Sequence, residues 1–127
     1  MSVESSIDES KRLTVFTGKG EVTHEEVKAA IEHFYEGNPT ENVLWDLRNA
    51  SVDGISPMHV EQLATLLKHH IGAEKGVKTA IVSPLDMAFG LARMLVSMLE
   101  VKKRDGSVYM NVFRTIDKAY DWLLDGE

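Results

Sequence analysis

VKTAIVSPLDMAFGLARMLVSML, residues 77–99, decides how the whole chain is read. VKTAIV (77–82) is a short apolar run rich in β-branched residues, the composition of a buried parallel strand. Ser83-Pro84 breaks it, and Asp86 stands where a helix cap belongs. The helix that follows is expected to span 86–101. A strand leading through a tight turn into a helix is one half of a βαβ unit, and the same order recurs on both sides of this stretch.

Upstream, KRLTVFTG reads as a strand bounded by Gly18, and residues 2–8 pair with it as a leading hairpin through an Asp8-Glu9-Ser10 turn. THEE is a capping box: Thr23 caps a helix start and Glu26 reaches back to it. Val27, Ala30, Ile31, Phe34 and Tyr35 then recur at helical spacing, and Gly37 with Asn38-Pro39 ends the helix. NVLWDL (42–47) is a second buried strand, RNASVDGI reads as loop, and Ser56-Pro57 is an N-cap followed by proline at the first helical position. Val60, Leu63, Ala64, Leu67 and Ile71 form that helix's apolar stripe, with Gly72 at its end. Downstream, SVYMNVF (107–113) is a further strand, and Thr115 caps a last helix with Ile116, Ala119, Tyr120 and Leu123 on its inner side. Successive strand–helix units predict an α/β fold: a mixed, largely parallel sheet with a leading β-hairpin and about four helices packed on both faces.

The totals agree with one domain. The chain has 127 residues, 43% of them hydrophobic and 27% charged, as in an ordinary globular domain. The absence of cysteine removes disulfides, thiolate metal sites and thiol nucleophiles. A net charge of −6 without a basic segment speaks against nucleic acid as a partner. MSVESSIDESKR lacks the apolar core of a signal peptide, and no apolar run reaches the roughly 20 residues of a transmembrane segment. The expected location is cytoplasmic.

The 86–101 helix is unusual. With 100° per residue, Asp86, Gly90, Arg93 and Ser97 share one narrow stripe, and apolar side chains fill an arc of roughly 220°. A sheet-packing helix needs little more than about 100°. Ala88, Ala92, Leu95 and Leu99, with Phe89 and Val96 beside them, make a row suited to close approach to a sheet. Met87, Leu91, Met94 and Met98 make a second row, and two readings of it stay open. It is buried between sheet and neighbouring helices, as apolar rows usually are, or it is an exposed strip for self-association or an apolar ligand. Phe89, Arg93 and Met94 are candidates for the lining and polar end of a cleft.

Arg48, Ser83 and Arg114 arrive at the carboxyl ends of strands, where ligands of open α/β sheets bind, and with nearby helix N-termini are candidates for holding an anion. Asp46 and Asp86 oppose that. The five histidines show no close ligand spacing, so neither metal nor any other cofactor is expected. No serine lies in a nucleophile elbow, and Trp45 and Trp122 read as structural.

KTAIVSPLDMAFGLARM followed by VFRTIDKAYDWL resembles the SpoIIAA-like proteins, also called STAS/SEC14-domain proteins, which are related to the STAS domain of anti-sigma factor antagonists and to the lipid-binding SEC14 fold. IDESKRLTVFTGKGEVTHEEV and VLWDLRNA extend the likeness over nearly the whole chain. The resemblance implies a non-enzymatic binding or regulatory module that forms homodimers and takes a small amphipathic or lipid-like ligand or a regulatory protein partner. Anti-sigma antagonists carry a phosphorylatable serine in a D-S-S-G-like run. The corresponding DLRNASVDGISPM puts Ser56 near that place, with Ile55 at the phosphoacceptor position and Pro57 where the glycine would be. Ser56 is therefore both a candidate phosphoacceptor and a simple helix cap.

Overall fold

The computed structural model describes residues 2–73, 77–99 and 110–124. Its sheet has five strands in the order of the chain. β1 (Val3–Asp8) and β2 (Leu13–Glu21) form the leading antiparallel hairpin, and β3 (Asn42–Ser51), β4 (Lys78–Val82) and β5 (Met110–Phe113) add in turn, each parallel to its predecessor. The hairpin turn is a short 3₁₀ segment, Glu9–Lys11, closed by Arg12 in the left-handed region at φ 52°. Residues 107–109 of the strand expected over 107–113, and the helix end at 100–101, lie outside the described residues.

Four helices connect or follow the strands: α1 (His24–Glu36), α2 (Pro57–Ala73), α3 (Asp86–Leu99) and α4 (Ile116–Leu124). Side-chain alternation on the strands assigns them to faces. Phe16, Val43, Trp45 and Ile81 cluster with Ile31 of α1, Leu63 and Leu67 of α2, and Ala92 and Leu99 of α3. Leu13, Leu44, Ala80 and Val82 point the other way and cluster with Ala119 and Leu123 of α4. Right-handed crossovers between strands added in one direction place every connecting helix on the same side, so the division is three helices against one. Trp45 is buried and stacks on Phe16 at 4.6 Å between ring centroids. Trp122 closes the α4 side, where its backbone carbonyl accepts from Lys78 Nζ at 2.6 Å.

Several boundaries differ from the sequence reading. β2 runs through Gly18 to Glu21, and β3 runs through RNAS to Ser51. The reason is a period of two hidden by polar composition: Ala50 and Val52 are buried, while Asn49 and Asp53 are exposed. The β2–β3 register shifts between Thr17 and Lys19, and Gly18 at that irregularity is closely surrounded. A Cβ there would lie 3.1 Å from side-chain carbons of Leu47, Ala50 and Val22. α2 continues past Gly72 to Ala73. At the start of α1 the capping box forms as the sequence requires, with Thr23 Oγ1 accepting from the Glu26 amide at 3.2 Å and Glu26 Oε1 accepting from the Thr23 amide at 3.0 Å. Asp86 is the first residue of α3 rather than its cap, and its carboxylate accepts from Arg114 Nη1 at 2.7 Å. Ser83 takes over the turn, its hydroxyl accepting from the Leu85 amide at 3.2 Å.

Candidate functional site: the α3 surface and the cavity beneath it

α3 divides its apolar circumference. Ala88, Ala92 and Leu99 are buried, and Phe89, Leu95, Val96 and Met98 pack against the main core while Leu91 packs against a smaller cluster around Val22 and Ala50. Met87 is exposed, and Arg93 and Met94 do not join either cluster. The methionine row is thus split: Leu91 and Met98 turn inward, and Met87 remains at the surface. The four most exposed large apolar side chains among the described residues are Met58 (66%), Ile7 (62%), Met87 (58%) and Leu85 (53%). Three of them stand at the starts of α2 and α3, which parallel strands deliver to the same end of the sheet.

Beneath α3 the packing is incomplete. A cavity of about 100 Å³ lies between the sheet and helices α1, α2 and α3. Phe16, Trp45 and Ile81 supply its sheet wall, and Ile31, Leu63, Ala88 and Ala92 belong to its helical wall. The alanine row faces inward as expected: Ala92 is buried with Phe16, Trp45 and Ile81, and Ala88 with Val22, Ala50 and Val52. The short side chains of Ala88 and Ala92 leave room beside the bulk of Phe16 and Trp45. Phe89, Arg93 and Met94 do not line the cavity, whereas Leu91 does. Apolar gaps of this size stay dry in proteins and can admit small apolar molecules.

Arg114 follows the end of β5 as expected, but Arg48 lies inside β3, which continues to Ser51, and not at a strand end. Arg48 is bidentate on Asp46, with Nε–Oδ1 at 3.0 Å and Nη2–Oδ2 at 2.9 Å. That pairing holds the Asp46 carboxyl below the ordinary carboxylate value, against the opposing effect of burial. Arg114 donates to Asp86 Oδ1 and, at 3.0 Å, to the Pro84 carbonyl, and its guanidinium carbon lies 4.0 Å from the centre of the Phe89 ring. Ser83 is fully buried, its hydroxyl accepts from Leu85, and its amide donates to the Phe113 carbonyl at 3.0 Å. Arg48 and Arg114 each face an acid, and Ser83 holds the β4–α3 turn.

Ser56 caps α2 through a reciprocal arrangement in which histidine replaces the usual acid. Ser56 Oγ accepts from the His59 amide at 3.2 Å, and His59 Nδ1 accepts from the Ser56 amide at 3.1 Å. The His59 ring stacks on His24, the first residue of α1, at 4.4 Å between centroids. His24 is 7% exposed, and its Nδ1 is buried without a hydrogen-bond partner. Burial, and then the neighbouring His59, depress its basicity below the ordinary 6.5. Sequence reading misses this pair, because nothing in the spacing of His24 and His59 announces contact.

Comparison with known structures follows the architecture. An uncharacterised DUF3478 protein from Shewanella loihica PV-4, described as having a SpoIIAA-like fold, superposes with a TM-score of 0.55 at 18% identity, covering 95% of this chain and 91% of its own. The anti-sigma factor antagonist SpoIIAA in its unphosphorylated form gives 0.55 at 15% identity, covering 95% of this chain and 96% of its own. The fold is SpoIIAA-like. The leading hairpin, the parallel additions and the helices on both faces of the SpoIIAA-like sheet are those expected from the sequence. No family model matches the chain, and no curated protein matches it in sequence. No helix among the described residues is long and apolar enough to cross a membrane, and no group of three or more histidine or acidic residues there could hold a metal ion.

Proposed function

We propose that this SpoIIAA-like domain is a non-enzymatic regulatory module of the cytoplasm that self-associates as a homodimer through the start of α3 and carries a small amphipathic ligand. One observation carries the reading: Met58, Leu85 and Met87 stand exposed at one end of the sheet. Large apolar side chains gathered there gain from being covered, and methionine suits a surface that must adapt to its partner. Regulatory action is supported by the likeness to an anti-sigma factor antagonist. Sedimentation velocity across a concentration series tests the assembly. The intact chain is expected to sediment as a dimer, and Met87→Lys, which places a charge at an already exposed position, as a folded monomer. A wild-type chain that stays monomeric at high concentration overturns self-association.

A second reading is favoured by Ser56. Its hydroxyl is half-buried at the start of α2, beside the apolar end of the sheet, and a phosphate there would meet a helix N-terminus. In that reading the module is a phospho-switch acting on a regulatory protein partner. Phosphopeptide mapping after incubation with kinase-containing extract tests it, and modification at sites other than Ser56 refutes it.

A further inference from the structure

The cavity under α3 contains one polar feature that the rest of the core does not explain. Thr79 on β4 faces the helices from a central strand, is 6% exposed, and lines the cavity. The other buried threonine, Thr14, bonds Thr40 Oγ1 at 2.8 Å. The Thr79 hydroxyl has no such partner among the described residues. The one side-chain polar atom there that is sealed by protein and unpartnered is His24 Nδ1. The Thr79 hydroxyl therefore keeps contact with open space, and the space that it faces is the cavity. A hydroxyl left unbonded in an apolar wall is unfavourable for the fold, and a valine of the same shape would remove the penalty.

We infer that this cavity is a binding site for a single-ring molecule bearing one hydroxyl, its ring among the apolar side chains and its hydroxyl on Thr79. The inference rests on the ligand-binding half of the proposed function and supplies the class and place of the ligand. Size sets the class. At about 100 Å³ the cavity is close to engineered core cavities of roughly 150 Å³ that hold benzene. Access is from the side where Val27, Leu47, Ile55 and Leu91 line the cavity while only half-buried. Chemistry sets the hydroxyl. A dry apolar site rejects phenol unless a partner replaces its lost hydration, and Thr79 can donate to or accept from it.

Titration calorimetry with phenol and with benzene, on the intact chain and on Thr79→Val, tests the site. The intact chain is expected to bind both. Thr79→Val is expected to weaken phenol about tenfold, the loss of one buried hydrogen bond, while benzene affinity stays within about twofold. Ala92→Leu, which fills the cavity, is expected to abolish both. Absence of phenol binding to the folded intact chain overturns the inference, as does equal phenol affinity in Thr79→Val. Should Thr79→Val fail to fold, phenol binding that persists in folded Ala92→Leu places the probe elsewhere and overturns it equally. Sedimentation of the same samples keeps the two readings apart: a dimer that takes no phenol removes this site alone, and a monomer that takes phenol removes self-association alone.

Discussion

Replacing Ala92 with leucine asks directly whether the space under α3 is empty. Ala92 is buried in the middle of α3 and lines the cavity. Leucine adds three carbons, and each buried methylene contributes about 0.8 kcal/mol, or ~2.4 kcal/mol in all. Filling the void contributes separately: 100 Å³ at ~24 cal/mol per Å³ is again ~2.4 kcal/mol. Neither gain is complete, because an imperfect fit forces side chains off their rotamers at about 1–3 kcal/mol. Subtracting the upper strain figure leaves a stabilisation of about 2 kcal/mol. Urea denaturation followed by tryptophan fluorescence is the assay, with Trp45 in the cavity wall as reporter. For a slope of roughly 1–3 kcal/mol per molar urea, the midpoint rises by about 1 M at unchanged slope. A midpoint that falls at unchanged slope would show that the room beside Ala92 is already taken, and the reasoning about the cavity would fail with it.

Other perturbations have equally definite outcomes. Ser56→Ala removes the α2 cap and is expected to cost about 1 kcal/mol, read as a lower urea midpoint; an unchanged midpoint would mean that His59 alone secures the helix start. His24 binds its proton less readily in the fold than the ordinary 6.5 of an unfolded chain. Between those two values the unfolded state holds more protons, so stability is complete above about 6.5 and declines as pH falls below it. Melting temperatures at pH 7.5 and 5.5 check this, and His24→Gln is expected to flatten the difference. Gly90 lies exposed in α3, and a Cβ added there would meet nothing within 4 Å, so Gly90→Ala is expected to stabilise by about 0.5–1 kcal/mol in a thermal melt.

Local features of this chain could be read from local sequence. The capping box at Thr23 and Glu26 needs only four consecutive residues, and the strands at 42–47 and 77–82 announce themselves by unbroken apolar runs. The second half of β3 is hidden because Ala50 and Val52 are separated by polar residues whose composition suggests a loop. Arg48 and Asp46, two apart on a strand, share a face by periodicity, and their pairing follows from that. The cavity could not be read in this way. It is a shortage of volume summed over helices α1 to α3 and the sheet, and Ala88 and Ala92 reveal it only once the bulk of Phe16 and Trp45 opposite them is placed. The same holds for Thr79, whose hydroxyl looks like that of an ordinary strand residue until its neighbours prove unable to bond it.

Because the strands stand in the sheet in the order of the chain, each newly made segment finds its docking edge already laid down by the one before. As the chain leaves the ribosome, the hairpin can serve as a template for β3, and β3 for β4, with no strand waiting for a later one to be wedged between. Only α4 reaches back across several strands, and it closes the opposite side last. Vectorial growth of this kind keeps the unpaired edge short-lived at every stage of synthesis, which limits the time available for edge-to-edge misassociation.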